Sequence, residues 1–325
     1  VVLAKKTAFT PAEEAAVAKH FDEYPEITPL YLPSNPGQNA FSNLIASNDP
    51  YSFAHSYAYN VTPVTDNAPF FFFTLKPGQI LGEKGLREGI DWKVNLGVLV
   101  LLLVLVISLV AVLAFLVLPL ALKKRQTRQS PLPLLYFIAV GLGYILLEIA
   151  FIQRFVLFLG HPTYALTVVI FLLMLSSGAG SLFSRFWLPR TELGWLPLLL
   201  VIVALIAEIF FLPGRLAALV GMDFGYRLLI SGVLLIPLGF VMGMPFPTGL
   251  RALAALPAPE FPSGQGASDN SVEWAWAMNA AASVLGSVLA MVIAIQFGLT
   301  ATLACGAIAY LLALLLTPTL RTRAA

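Results

Sequence analysis

The chain has 325 residues, 58% of them hydrophobic and only 11% charged, with a formal net charge of +2. Soluble domains are closer to ~45–50% apolar and ~25% charged, so this composition belongs to a chain built for lipid. The small net charge argues against nucleic acid as a partner. The single Cys305 excludes an intrachain disulfide and a cysteine-based metal site.

Residues 1–92 are soluble in character. The sequence does not begin with Met, and Val1-Val2-Leu3-Ala4 reads as a strand already under way, so a missing N-terminal part of the same protein is expected. A helix follows to about Tyr24. Thr10 supplies the cap, Pro11 suits the first helical position, and Glu13 completes a capping box. Ile27–Leu32 reads as a second strand, and strand, helix and strand together suggest the edge of an α/β domain. Pro33 to Asn60 is rich in Pro, Asn, Ser and Tyr and reads as a long loop with at most a short helix. Thr65-Asp66-Asn67-Ala68-Pro69 is a turn feeding the aromatic run Phe70–Phe73.

Residues 93–325 are expected to be a transmembrane domain. Seven stretches reach the ~20 residues needed to cross the hydrocarbon, near 95–121, 133–157, 162–184, 194–213, 228–250, 274–296 and 298–317. The last two are joined only by Phe297-Gly298-Leu299-Thr300, a tight hairpin. Arg251–Glu273 is the one sizeable internal loop. Basic residues divide nine against six between the two sets of loops, with the Lys123–Arg128 cluster decisive. That asymmetry puts the C-terminus in the cytoplasm and residues 1–92 outside.

The second span carries the chemistry of most interest. Glu148 lies near the middle of the apolar stretch Pro133–Phe158, where a carboxylate costs at least ~2.5–3.5 kcal/mol and needs a partner, a proton or a water-filled cavity. Tyr144 is one turn below it on the same face and can hydrogen-bond it. Arg154 ends the span and is expected to snorkel to the interface. Three readings stand for Glu148: a proton- or cation-handling site, a polar anchor for a bound headgroup, or a carboxyl neutralised by a neighbouring helix for structural reasons. Glu208, nearer one end of the fourth span, reads as structural.

In the third span His161 is a lone histidine at a boundary, suited to an interfacial hydrogen bond. Ser176, Gly180 and Ser184 form a small-residue seam for close helix approach. The run Gly239 to Gly249, with Pro245 and Pro247, must break or kink the fifth span where its freed backbone is buried or lines a cavity. Asn279 in the sixth span suits a bond to another helix and is a possible partner for Glu148. No Gly-rich phosphate loop, nucleophile elbow or metal-ligand cluster is present in the sequence.

Several strings occur together: Thr65-Asp66-Asn67-Ala68-Pro69-Phe70-Phe71; Leu147-Glu148-Ile149-Ala150-Phe151-Ile152-Gln153-Arg154-Phe155 with Leu159-Gly160-His161-Pro162; Met242-Gly243-Met244-Pro245-Phe246-Pro247; and Trp274-Ala275-Trp276-Ala277-Met278-Asn279. As a set they resemble the bacterial integral-membrane spermidine/spermine-synthase-like proteins, in which an aminopropyltransferase-type Rossmann domain is joined to a multi-span membrane region. The resemblance covers Val1 to about Leu316. It implies a mainly α polytopic bundle preceded by the C-terminal end of a Rossmann-like domain, in the bacterial inner membrane. It also implies decarboxylated S-adenosylmethionine as cofactor of the family's catalytic domain and a link to polyamine biosynthesis. The Gly-rich cofactor loop and the catalytic acid of that family lie outside this sequence, and Asp66 and Asn67 are a possible interface of the soluble part.

A cytosolic cofactor needs residues 1–92 inside, whereas the charge count puts them outside. Three functions therefore stay open: a membrane-anchored transferase-like protein with an amine site of Tyr144, Glu148, Arg154, His161 and Asn279; a small-molecule (amine) transporter or exporter; and a structural scaffold. Membrane lipid is the partner common to all three.

Overall fold

The computed structural model describes residues 2–24, 26–71, 73–76, 96–114, 118, 132–187, 193–255 and 271–320. The chain divides into two compact units, one of Val1–Pro63 with Thr74–Gly89 and one of Val64–Phe73 with Ile90–Ala325.

Among its described residues the first unit holds three short helices, α1 (Pro11–Glu23), α2 (Ala40–Ala46) and α3 (Pro50–Ser56). The α1 start follows the expected rule: the Thr10 side chain accepts the Glu13 N–H, and the Glu13 carboxylate accepts the Thr10 N–H at 2.8 Å. Lys5 donates to the same carboxylate at 2.7 Å, and these donors hold it below the ordinary range for glutamate. The Asn39 and Asp49 side chains accept backbone N–H groups at the starts of α2 and α3, so the stretch expected to hold at most one short helix holds two. The expected strands are not found. Among the described residues there is no β-strand, only isolated bridges Leu32–Asn35 and Thr65–Ala68, so the Rossmann-like end is not seen. A strand needs a neighbour to take its backbone hydrogen bonds, and among the described residues Val2–Ala4 has none and Ile27–Leu32 only the single bridge from Leu32 to Asn35.

The second unit is a helical bundle. Its helices are α4 (Leu96–Val112), α5 (Leu132–Leu159), α6 (Pro162–Trp187), α7 (Trp195–Leu219), α8 (Phe224–Met242), α9 (Pro245–Ala254), α10 (Ser271–Phe297) and α11 (Leu299–Leu316), with a closing 3₁₀ turn Thr317–Leu320. Among the described residues six segments are long and apolar enough to cross a membrane: α5, α6, α7, α8 with α9, α10, and α11 with its closing turn. The apolar α4 adds 17 residues at the place of the expected first span. This is the make-up of a polytopic helical bundle. The Lys123–Arg128 cluster, the flanking Lys84, Arg87 and Lys93, and much of the Arg251–Glu273 loop lie outside the described residues.

Helix α5 is the centre of the bundle, packed against α10, α11 and α6. Phe137, Leu147, Ala150 and Phe155 on it are fully buried. By contrast, α6 and α8 expose Phe171, Met174, Leu182, Leu229 and Val233, the side chains expected on surfaces that face acyl chains.

Two sequence features set the closest helix approaches. The small-residue seam of α6 lies on α8: a Cβ on Gly180 would overlap the Phe240 carbonyl, and one on Gly243 would overlap the Ser177 carbonyl. The proline–glycine run breaks the fifth span at Gly243-Met244, between α8 and α9. Tyr136 of α5 closes the break by donating its hydroxyl to the Pro245 carbonyl at 2.9 Å, so the freed backbone is held by protein.

Candidate functional site

Tyr136, Tyr144, Glu148 and Arg154 fall within a sector of about 120° on α5 and span about 27 Å along it, close to the thickness of a bilayer's hydrocarbon core. Antiparallel neighbours bring partners to this face at each level. Near the Tyr136 end lie Thr248, Thr317 and Leu320; near the Arg154 end lie Asn67 and Thr300.

Glu148 is half-buried at the middle level. Among the described residues it has no hydrogen-bond or ion-pair partner. Tyr144, one turn away, directs its hydroxyl elsewhere, to Ser177 Oγ of α6 at 3.4 Å. Asn279, the other expected partner, donates Nδ2 to the Phe137 carbonyl at 3.1 Å and lies over Gly141. Phe137 is three turns of α5 from Glu148, so Asn279 ties α10 to α5 and leaves Glu148 alone.

Arg154 departs from expectation. It is only 6% exposed and does not snorkel. Its Nη2 donates to Thr300 Oγ1 at 3.0 Å and, more weakly, to Asn67 Oδ1 at 3.4 Å. The Asn67 side chain caps α11: its Oδ1 accepts the Thr300 N–H at 2.8 Å, and its carbonyl accepts the Leu299 N–H at 2.7 Å. Gly298, at φ 89°, makes the sharp turn that presents this helix start. A cation is the wrong sign for the positive end of a helix. The Asn67 oxygen, shared by the guanidinium and the helix, offsets that. The snorkelling expectation fails because a turn of the second unit, Thr65–Ala68, covers this end and offers a closer acceptor than water. Asp66 itself is exposed.

His161 is exposed and its Nδ1 accepts the Thr163 N–H at 3.2 Å, capping α6. It stands apart from Glu148, as does Asn279. Of the expected site, the structure brings Tyr144 beside Glu148 on one α5 face, with Arg154 at the top of that face.

Sequence reasoning missed four contributors. Tyr136 could have been found from its position two turns before Tyr144. Tyr310 of α11 is fully buried, its ring seated on Gly143; a tyrosine inside an apolar span was the available signal. Arg227 donates to the Phe158 carbonyl at 2.8 Å. Arg251 donates to the Ser184 carbonyl at 3.3 Å. Each guanidinium reaches a carbonyl in the last turn of another helix, α5 for Arg227 and α6 for Arg251, where a cation has the right sign.

No family model, curated protein or solved structure matches the chain.

Proposed function

We propose that the bundle holds an intramembrane site for a cationic amine, with Glu148 exchanging a proton for the amine. The observation that carries this is a carboxyl halfway along the central helix with no hydrogen-bond or ion-pair partner among the described residues. Ionised and alone it is costly at that depth; a bound proton or a bound cation removes the cost. Tyr144 supplies a neighbouring hydroxyl that can accept from an ammonium or donate to the carboxylate. Arg154 stands about two turns further on, and its fixed positive charge disfavours a cation settling at that end.

The resemblance of four strings to spermidine/spermine-synthase-like membrane proteins supports a polyamine as the amine and the bacterial inner membrane as the location. It also supports a second reading, in which the same bundle anchors an aminopropyltransferase-like domain using decarboxylated S-adenosylmethionine. The two are compatible, because a transferase delivering or consuming polyamine benefits from a membrane site for it.

Labelled spermidine uptake into proteoliposomes of the full-length protein, under an imposed proton gradient, tests the proposal. Uptake that follows the gradient and is lost in Glu148→Gln supports it. Uptake equal in wild type, Glu148→Gln and protein-free liposomes overturns it.

A further inference from the structure

The start of α11 gathers donors around one neutral oxygen. Asn67 Oδ1 accepts the Thr300 N–H at 2.8 Å, the Thr300 hydroxyl at 2.6 Å and, at 3.4 Å, Nη2 of Arg154. Beside it the Asn67 carbonyl takes the Leu299 N–H at 2.7 Å. Gly298 comes so near that an added Cβ would overlap the Asn67 amide, and glycine is the residue that lets backbone approach a ligand closely. An amide oxygen has two lone pairs, so three donors exceed what it can hold at full strength. A phosphate group offers several anionic oxygens to the same donors.

The charges point the same way. The N-terminus of a helix carries roughly half a positive charge, and the Arg154 guanidinium adds a full one. Between them stands an uncharged amide. Arg154 is only 6% exposed, yet its Nε and Nη1 have no hydrogen-bond partner among the described residues. A guanidinium fork is suited to paired bonds with a phosphate or carboxylate, and no ion pair to Arg154 is found among those residues. Asp66, next to Asn67 in the chain, is exposed and does not supply one. The residue that covers the guanidinium, Asn67, is itself exposed. Phe297, just before Gly298, is also exposed. The site therefore lies at the surface of the bundle, at the end of the polar face of α5, where headgroups meet a protein that spans the hydrocarbon.

We infer that Arg154, Thr300 and the first N–H groups of α11 form a phosphate site, with the Asn67 side chain as a displaceable neutral plug. Turning that side chain outward frees the Thr300 donors and the Nη2 edge of the guanidinium, and no helix has to move. The phosphate of an anionic lipid headgroup and free inorganic phosphate share this chemistry. The inference is independent of the reading of Glu148.

Thermal unfolding of the full-length protein in a maltoside detergent, at constant ionic strength, tests it. The midpoint is followed against inorganic phosphate in one series and against short-chain phosphatidylglycerol in the other. A saturable rise in wild type is expected, because a ligand that binds only the folded state stabilises it. Saturation by inorganic phosphate identifies free phosphate as a ligand; saturation by phosphatidylglycerol alone identifies a headgroup. Apparent affinity should fall at least about tenfold in Arg154→Gln, the loss of one charge-assisted contact. Asn67→Asp fills the site with its own carboxylate and should lose as much while keeping the helix cap. Asn67→Ala removes the plug, so its deficit in midpoint should shrink as ligand is added, whereas a purely structural cap leaves that deficit constant. No saturable rise in wild type with either ligand overturns the site, as does equal affinity in wild type, Asn67→Asp and Arg154→Gln.

Discussion

Asn67 caps the last long helix from far away in sequence: its Oδ1 accepts the Thr300 N–H at 2.8 Å and the Thr300 hydroxyl at 2.6 Å. Losing a side-chain cap costs about 0.5–2 kcal/mol. Asn67→Ala should therefore lower the thermal midpoint of the purified protein, whereas Asn67→Asp, which keeps the acceptor beside Arg154, should restore it. Equal midpoints for all three would show that the cap adds nothing to stability.

Arg154 ties the same turn to α5. Substituting Arg154→Gln removes a buried cation as well as two hydrogen bonds, so overall stability is a poor readout. Local opening is the better one. Hydrogen exchange of Val64–Phe73 should speed up in Arg154→Gln while exchange within α10 stays at the wild-type rate. Unchanged exchange in Val64–Phe73 would show that Arg154 does not hold the turn.

Backbone contact between α6 and α8 leaves no room for a methyl group. Gly180→Ala and Gly243→Ala each place a Cβ on a facing backbone carbonyl and should cost at least about 1–3 kcal/mol. Gly178→Ala meets nothing within 4 Å and should be neutral, or stabilising by up to ~1 kcal/mol through helix propensity. Thermal unfolding in one detergent ranks the three, and a destabilised Gly178→Ala beside a tolerated Gly243→Ala would contradict the packing.

Tyr136→Phe and Tyr310→Phe remove the same atom with opposite consequences. The first leaves the Pro245 carbonyl unpaired beside the helix break and should cost roughly 1–3 kcal/mol. The second removes a hydroxyl that has no hydrogen-bond partner among the described residues and should be neutral or stabilising. Equal losses in thermal midpoint would contradict the hydrogen-bond assignment at the break.

Much of the bundle was legible because local rules operate there. The span positions follow from apolar length, the α1 start from Thr10, Pro11 and Glu13, the α6 seam from Ser176, Gly180 and Ser184, and the α8–α9 break from its prolines. What escaped depended on neighbours distant in sequence. Ile27–Leu32 has strand-like residues, but a strand exists only with a partner to pair with. Arg154 looked free to reach water because nothing local reveals that Asn67, 87 residues earlier, covers it. Asn279 and Glu148 both sit in apolar spans, yet a span's polar residues do not announce which neighbouring helix, or which level of it, they will meet. Tyr310 was passed over because tyrosine is unremarkable in composition; its burial without a partner is visible only in three dimensions.

The central claim is that Glu148 trades a proton for an amine. Spermidine titrated into the full-length protein, in weakly buffered detergent solution with a pH indicator, measures that exchange directly. Wild type should release protons as spermidine binds. Glu148→Gln should release none and bind at least about tenfold more weakly, a loss of ~1.4 kcal/mol. Binding and proton release unchanged in Glu148→Gln would contradict it.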